Sequence, residues 1–269
     1  MEELIFGTGL SAAKDYKGLL EACSTAVENG IVSFDTAPSY KTEKILGNVL
    51  KEIIEGYGVD RQYINIQTKI DVAQMIRGKK FIIEHVKGVL NDLQLEYLDG
   101  LLIHWPMPEF FAETWETLQD MKAKGIVKRV GISNVRTRQL YEILSGSRPD
   151  MIQIERNPLR TCDEEISLCR KNGIQVQAYS PLCKMCSEIK DSMLLTELSK
   201  KYNREIGEIV LRWHIDTGVT PVFTSKNMNR IKKYSQVLKF KLDNEDVKKI
   251  TSMNKNYKMY LESWACPGY

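Results

Sequence analysis

Residues 62–103, QYINIQTKIDVAQMIRGKKFIIEHVKGVLNDLQLEYLDGLLI, indicate how the chain is built. A run rich in apolar and β-branched residues at about 62–68 is followed by helical spacing of apolar residues over 79–95, and then by a second apolar run at 98–103. Short apolar runs of this kind predict buried strands, and the spacing between them predicts an amphipathic helix. A strand, a helix and another strand in this order are typical of a parallel sheet covered by helices.

The same alternation continues along the whole chain. Further candidate strands lie at about 4–7, 31–35, 127–132, 150–154, 174–179 and 219–223, which makes eight. Helical spacing occurs at 15–30, 41–56, 109–125, 135–146, 163–173, 192–203 and 205–218, and a final helix pair is expected at 227–236 and 243–254. Several of these segments stop at glycine, which tolerates the left-handed conformation that often ends a helix.

Eight strand–helix units fit either an open doubly wound sheet or a closed barrel. An open sheet with a dinucleotide site would carry G-x-G-x-x-G after an early strand, but residues 7–13, GTGLSAA, offer only G-x-G without a clean strand-to-helix junction. Closed barrels of this type usually have about 250 residues, and this chain of 269 residues contains no Pro/Gly/Ser-rich linker. We therefore predict the α/β class, with a (β/α)8 TIM barrel forming a single domain over residues 1–269.

Composition excludes several classes of protein. The 38 basic and 35 acidic residues give a net charge of +3 and are scattered along the chain, which argues against a nucleic-acid or membrane surface. There is no apolar run long enough to cross a membrane, and the N-terminus does not resemble a signal peptide. Six cysteines in such a chain are expected to be reduced thiols. We expect a soluble, cytoplasmic protein, monomeric, with weak oligomerisation left open.

Four polar residues stand at or just after predicted strands, where a barrel carries its reactive groups. Asp35 ends the second strand and Tyr40 follows it, Lys69 ends the third, and His104 ends the fourth. Each has a structural alternative: a helix cap, a half-buried aromatic ring, a lysine reaching solvent, or a core histidine. Together they are harder to explain structurally, because charged residues rarely enter a barrel interior without partners.

Such a group of residues can protonate an alkoxide as it forms. A tyrosine phenol has a pKa near 10, and a neighbouring ammonium lowers that pKa while a carboxylate holds the ammonium in place. We therefore expect Lys69 and Asp35 to make Tyr40 a usable general acid, and a neutral His104 to orient the carbonyl. The chain has no G-x-S-x-G or H-E-x-x-H motif, and its three histidines are too dispersed for a metal site, so the electron pair must come from a cofactor.

The chain resembles the aldo-keto reductase family. The resemblance rests on motifs along most of the chain: FDTAPSY at 34–40, TK at 68–69, LLIHWP at 101–106, GISN at 131–134, QIERNPL at 153–159, AYSPL at 178–182, IVLRWHIDTGVTPV at 209–222 and NRIKK at 229–233. It implies a (β/α)8 barrel that binds NADPH, with NADH as an option, at its C-terminal mouth and transfers a hydride to an aldehyde or ketone. It also implies that Tyr40 is the proton donor, Lys69 and Asp35 its tuning pair, and His104 the residue that orients the carbonyl.

The resemblance also implies a set of cofactor contacts. Ser133, Asn134 and Gln153 would bind the carboxamide, Tyr179 would stack on the nicotinamide ring, and Ser180 and Leu182 would lie along the pyrophosphate. Ser225 and Arg230 correspond to contacts of the adenosine 2′-phosphate, and Thr8 and Thr224 are also expected at the cofactor. Two positions depart from the family pattern, because Thr224 replaces a lysine and Tyr234 replaces an asparagine. These departures weaken the expected preference for NADPH.

Two further features have open interpretations. The tail, residues 254–269, is interpreted either as a segment packed on the barrel or as a loop that folds over the mouth, with Trp264 and Trp105 lining the substrate pocket. Cys183 and Cys186 form a C-x-x-C that we interpret as incidental thiols beside the cofactor, with sensitivity to oxidation as the alternative.

Two other functions compete with a carbonyl reductase. A sensor or regulatory protein would keep the fold and cofactor with little turnover, but it would have no need of a tuned phenol. A lyase or isomerase would use Lys69 as a Schiff base, but it would not explain the GISN, YSPL and NRIKK motifs.

Overall fold

The computed structural model describes residues 3–9 and 15–261, and its centre is a closed barrel of eight parallel strands in chain order. The strands are β1 (Ile5–Gly7), β2 (Ser33–Asp35), β3 (Asn65–Ile70), β4 (Leu98–Ile103), β5 (Val127–Ser133), β6 (Met151–Glu155), β7 (Gln175–Tyr179) and β8 (Thr220–Phe223). Each pairs with its sequence neighbours, and β1 closes the ring against β8. The predicted α/β barrel is confirmed, and each predicted strand overlaps an observed one.

Helices surround the barrel, as the alternating pattern predicts. They are α1 (Tyr16–Glu28), α2 (Glu43–Tyr57), α3 (Val72–Met75), α4 (Gly78–Leu93), α5 (Pro108–Ala123), α6 (Thr137–Leu144), α7 (Asp163–Lys171), α8 (Ser187–Lys190), α9 (Met193–Tyr202), α10 (Ile206–Asp216), α11 (Met228–Ser235) and α12 (Asn244–Thr251). The four-residue helices α3 and α8 were not predicted, because one turn is too short to give a periodic signal. No helix in the described ranges combines the length and the apolarity needed to cross a bilayer.

Apolar side chains fill the space between the barrel and its helices. Near β1 this layer is aromatic: Phe6 makes edge-to-face contacts with Phe34 and Phe223, at ring-centre distances of 6.3 and 5.6 Å. Helix α2 approaches α4 closely at Gly47, where an added Cβ would lie 2.0 Å from the carbonyl oxygen of Asp92. Any larger residue at this position would separate the two helices.

Strand register brings the predicted functional residues to one end of the barrel. Asp35 pairs with Gln67 across β2 and β3, and Ser133 pairs with Gln153 across β5 and β6. Because all strands run in the same direction, their carboxyl ends meet at one rim. The residues that end the strands therefore surround a common space.

Candidate active site

A cavity of about 690 Å³ opens at the carboxyl ends of the strands, and we call it the mouth cavity. Its walls include side chains from most of the strand ends, among them Asp35, Tyr40, His104, Trp105, Ser133, Asn134, Gln153, Tyr179, Thr224 and Arg230. The rim thus brings together residues that lie almost 200 positions apart in the chain. Lys69 lies behind the wall and is fully buried.

Lys69 is the centre of a compact polar cluster. Its Nζ lies 2.6 Å from Asp35 Oδ1, 3.0 Å from the carbonyl oxygen of Thr36 and 3.5 Å from the Tyr40 hydroxyl. The ammonium therefore joins the carboxylate to the phenol, as expected for a phenol tuned by a charge pair. Tyr40 sits on a 3-10 turn, Pro38–Tyr40, directly after β2. Gly9 lies against its ring, where an added Cβ would come within 3.2 Å.

Burial changes the acidity of this cluster. Burial raises the pKa of Tyr40 above its ordinary value, and Lys69 offsets only part of this rise. Lys69 acts to lower the Tyr40 pKa, as the sequence predicts, but the loss of water around a buried phenolate has the larger effect, so the net shift is upward. Burial also acts to lower the pKa of Lys69, but Asp35 and Tyr40 raise it overall. At neutral pH, Tyr40 is a neutral phenol and Lys69 a cation.

Three glutamines extend the cluster across the inside of the barrel. The Nε2 atoms of Gln67 and Gln153 donate to Asp35 Oδ2 at 2.6 and 2.9 Å. Both also donate to Gln177 Oε1, at 2.8 and 3.0 Å. Sequence analysis missed Gln67 and Gln177, although the period of two along a strand places them on the same face as Lys69 and Tyr179. Gln67 and Gln153 hold Asp35 through Oδ2, the carboxylate oxygen that Lys69 does not contact, and Gln177 links these two glutamines.

His104 directly follows β4 and faces Tyr40 across the cavity. The two rings meet edge-to-face with centres 6.0 Å apart. His104 Nδ1 forms a hydrogen bond with Asp71, a residue that the sequence analysis did not single out. The His104 backbone is fixed as well, since its carbonyl oxygen accepts a hydrogen bond from Asn134 Nδ2 at 2.9 Å.

The residues expected at a nicotinamide carboxamide lie next to one another at the ends of β5 to β7. Asn134 already uses its amide, which donates to His104 and accepts from the Tyr179 hydroxyl at 2.7 Å. Ser133 Oγ accepts a weak hydrogen bond from Asn134 but donates none within the described residues. Gln153 uses Nε2 within the barrel, which leaves its Oε1 without a partner among those residues. One donor and one acceptor thus face the mouth cavity.

The residues expected along the rest of a cofactor are divided between two cavities. Ser180, Leu182, Thr224 and Arg230 line the mouth cavity. Thr8 and Ser225 instead line a smaller cavity of about 220 Å³ beside α1. The Thr8 hydroxyl is bonded internally, to the carbonyl oxygen of Asp35 at 3.1 Å and to Thr42 at 3.0 Å.

The described part of the tail lies against the mouth. The carboxylate of Glu155 accepts hydrogen bonds from the backbone N–H groups of Met259 and Tyr260, at 2.8 and 3.0 Å. Tyr260 contacts the Tyr179 ring edge-to-face, at 5.6 Å between centres, and lines the mouth cavity. Trp105 lines the same cavity, whereas Trp264 lies outside the described residues.

The structure also shows the environment of Tyr234 and of the C-x-x-C cysteines, two features noted in the sequence. Tyr234 is buried, with its ring 5.3 Å from that of Phe223, so it packs within the protein. The Sγ atoms of Cys183 and Cys186 lie 3.4 Å apart in the loop after β7. Burial raises the pKa of Cys183 to about 12, so its sulfur is a thiol and a poor nucleophile at neutral pH.

Several known proteins are similar to this chain in sequence, and solved structures share its fold. The oxidoreductase YtbE of Bacillus subtilis is 31% identical over 256 residues, which is 94% of this chain and 90% of that protein. Glyoxal reductase of the same organism is 32% identical over 253 residues, covering 93% of this chain and 89% of the relative. The crystal structure of Bombyx mori aldo-keto reductase AKR2E4 in complex with NADP superimposes with a TM-score of 0.88 at 30% identity, covering 97% and 91% of the two chains.

A family-level match covers almost the whole chain. The sequence model described as "Aldo/keto reductase family" matches residues 3–255, a range that contains the complete barrel and each residue of the Asp35, Tyr40, Lys69 and His104 group. Fold, strand-end residues and sequence similarity all agree, and the chain belongs to the aldo/keto reductase family.

Proposed function

We propose that this protein is an NADPH-dependent reductase of aldehydes or ketones, with NADH as an alternative cofactor and Tyr40 as the proton donor. The observation that carries the proposal is the contact between the Lys69 ammonium and the Tyr40 hydroxyl at the wall of the mouth cavity, 3.5 Å apart. A neutral phenol beside a buried cation is suited to protonate an alkoxide as it forms, because the cation stabilises the resulting phenolate.

The residues of the mouth cavity fit a nicotinamide cofactor. Ser133 Oγ can donate to the carboxamide oxygen, Gln153 Oε1 can accept from its NH₂ group, and the Tyr179 ring offers an aromatic face. Arg230 makes no ion pair within the described residues, so its guanidinium is available to a phosphate. When bound, NADPH supplies the hydride that the protein lacks.

The protein's own groups then handle the proton. Tyr40 gives its hydroxyl proton to the oxygen of the carbonyl that has received the hydride, and the phenolate that remains is stabilised by Lys69. Asp35 keeps Lys69 charged and in place, and His104 contacts the same oxygen. The buried position of Lys69 excludes water from this pair and strengthens the interaction.

The proposal extends to substrate, tail and location. Relatives named glyoxal reductase and methylglyoxal reductase suggest small reactive aldehydes as the first substrates to test.

We propose that the barrel is a single domain whose tail closes over the mouth, which the contact of Tyr260 with Tyr179 supports. A cytoplasmic location is supported by the free thiols of the five cysteines in the described ranges.

The test is a parallel screen with both nicotinamides. Purified protein is titrated with NADPH and with NADH while its fluorescence is recorded, and it is then assayed with glyoxal, methylglyoxal and simple aromatic aldehydes. We expect tighter binding of NADPH and oxidation of NADPH that depends on the carbonyl compound. Failure to bind either nicotinamide would contradict the proposal, and binding without turnover would favour a regulatory or sensor protein.

A further inference from the structure

The loop after β7 has an unusual backbone. Cys183, Lys184 and Met185 are three consecutive residues with left-handed φ angles of 49°, 50° and 55°. Residues other than glycine adopt this conformation at a cost in free energy, so a run of three indicates a constraint at this site. The turn closes with a hydrogen bond of 3.0 Å from the Cys186 N–H to the Cys183 carbonyl oxygen. It brings the two thiols of the C-x-x-C together, with their sulfur atoms 3.4 Å apart.

A third sulfur atom lies against this pair. Met259 Sδ, in the tail, is 3.7 Å from Cys183 Sγ. The Met259 backbone is fixed, because its N–H donates to the buried carboxylate of Glu155 at 2.8 Å. We call Cys183, Cys186 and Met259 the sulfur cluster. Cys183 is buried and the other two residues are half-buried, so a small ion can reach the cluster from solvent.

The donor atoms of the sulfur cluster suit a soft metal ion. Thiolate and thioether ligands select Cu(I), whereas structural Zn²⁺ requires four ligands, drawn from cysteine, histidine and carboxylate groups. Within residues 3–9 and 15–261, no group of three or more His, Cys, Asp and Glu residues could hold a metal ion. Metal–sulfur bonds of about 2.3 Å would place three sulfur atoms, spaced evenly around one ion, about 4 Å apart. The observed separations of 3.4 and 3.7 Å are close to this spacing.

We propose that the sulfur cluster binds Cu(I) and thereby ties the loop after β7 to the tail. Binding replaces the protons of the two thiols by the metal, and the thioether sulfur adds a lone pair. No electron is transferred, so the step needs no oxidant or reductant. The proposed reduction of carbonyls does not use the sulfur cluster, and the metal-free protein needs neither thiol for turnover.

The position of the cluster gives metal binding a consequence for the cofactor. Leu182 directly precedes Cys183, Tyr260 directly follows Met259, and both Leu182 and Tyr260 line the mouth cavity. A metal that joins Cys183 to Met259 therefore fixes two walls of this cavity against one another. We expect NADPH to leave the copper-bound protein more slowly. This consequence rests on the proposed function, whereas the binding of Cu(I) does not.

The first test is an anaerobic titration with Cu(I) against a competing chelator. The wild type should bind one Cu(I) per chain, and the double variant Cys183→Ala, Cys186→Ala should lose this binding. Met259→Leu should weaken it about tenfold or more, because a ligand held within the same chain is lost. X-ray absorption of the copper should show three sulfur neighbours in the wild type and two in Met259→Leu.

Matched controls use a thiol and a thioether outside the cluster. Cys162 is a half-buried free thiol, and Met253 packs against the same apolar region as Met259. Cys162→Ala and Met253→Leu should each bind Cu(I) as the wild type does. Full binding by the double cysteine variant, wild-type affinity in Met259→Leu, or no binding by the wild type would each overturn the inference.

The second test measures the release of NADPH by stopped-flow fluorescence. Release from the wild type should slow about tenfold when Cu(I) is bound, a size typical of coupling between two sites, and Cu(I) should not slow it in Met259→Leu. Equal rates with and without Cu(I) in the wild type would show that the metal does not tie the loop to the tail. Failure to bind NADPH would contradict the proposed function, and the Cu(I) titration would still decide the metal site.

Discussion

The Lys69 ammonium and the Asp35 carboxylate form an ion pair of 2.6 Å that is buried inside the barrel. Each charge is satisfied by further polar groups, the carbonyl oxygen of Thr36 on one side and two glutamine amides on the other. A buried pair of this kind adds little net stability, but removing one partner leaves an uncompensated charge. The pair therefore holds Lys69 against the Tyr40 hydroxyl. Breaking the pair is expected to destabilise the folded protein.

The first prediction concerns this coupling. Lys69→Met and Asp35→Asn should each lower the free energy of unfolding by about 3–5 kcal/mol, since each change leaves a buried polar group unpaired. The double variant should lose less than the sum of the two, and all three should lose reductase activity. Urea unfolding of the four proteins gives the coupling energy. Strictly additive losses would mean that the two charges do not depend on one another.

The second prediction concerns cofactor choice. Arg230→Ala should weaken NADPH binding about 10-fold while leaving NADH almost unchanged, because only NADPH carries the 2′-phosphate that a guanidinium can bind. Thr224→Lys, which restores the family residue, should increase NADPH affinity. Fluorescence titration measures both, and Lys232→Ala on the same helix serves as the control. An equal loss of affinity for NADPH and NADH in Arg230→Ala would show that Arg230 does not bind the 2′-phosphate.

The third prediction concerns the C-x-x-C motif. Because the Cys183 thiol is buried and its pKa is raised, the double variant Cys183→Ala, Cys186→Ala should keep kcat/KM within about twofold of wild type. Peroxide treatment should affect the wild type and the variant alike. If peroxide slows only the wild type, the two thiols have a redox role and the incidental interpretation is wrong.

The fourth prediction concerns pH and stability. Hydrogen bonds from Lys201 and Tyr202 lower the pKa of Asp246 to about 2, so its contribution is complete above its unfolded value near 3.9 and is lost as pH falls towards 2. Asp246→Asn should therefore cost about 2 kcal/mol at pH 7 and about half of that at pH 3. Urea unfolding at both pH values tests this.

The control for that experiment lies on the same helix. Glu245→Gln removes an exposed ion pair with Lys248 and should change stability far less than Asp246→Asn. A loss in Asp246→Asn that stays constant with pH would show that its carboxylate charge is not responsible.

Much of the architecture could be predicted because barrel strands are short apolar runs separated by helices. The positions of Asp35, Lys69 and His104 at strand ends followed from the same pattern, since strand ends meet at one rim. The closed barrel and the family are confirmed by the structure and by the sequence comparison.

What sequence could not supply are contacts that depend on register and burial. Gln67 and Gln177 meet across the barrel although they lie 110 positions apart in the chain, and nothing local indicates that contact. Asp71 resembles an ordinary helix cap in sequence, and its bond to His104 depends on how β3 and β4 end side by side. The direction of the Tyr40 pKa shift depends on burial, which a motif does not report.

The fifth prediction concerns Tyr40 itself. Tyr40→Phe removes only the hydroxyl that contacts Lys69, so the protein should fold and bind NADPH within about twofold of wild type. Positioned general acids contribute about 10²- to 10⁴-fold to rates, and reduction should slow by that factor. Tyr63→Phe, at an exposed tyrosine beyond the opposite end of the barrel, is the matched control and should behave as wild type.

The most direct measurement is a single-turnover experiment in which Tyr40→Phe, saturated with NADPH, is mixed with an aldehyde that the wild type reduces. Nicotinamide absorbance then follows hydride transfer without interference from cofactor release. We predict a rate at least about 100-fold below wild type, with NADPH affinity retained. A wild-type rate in Tyr40→Phe would contradict the assignment of Tyr40 as the proton donor.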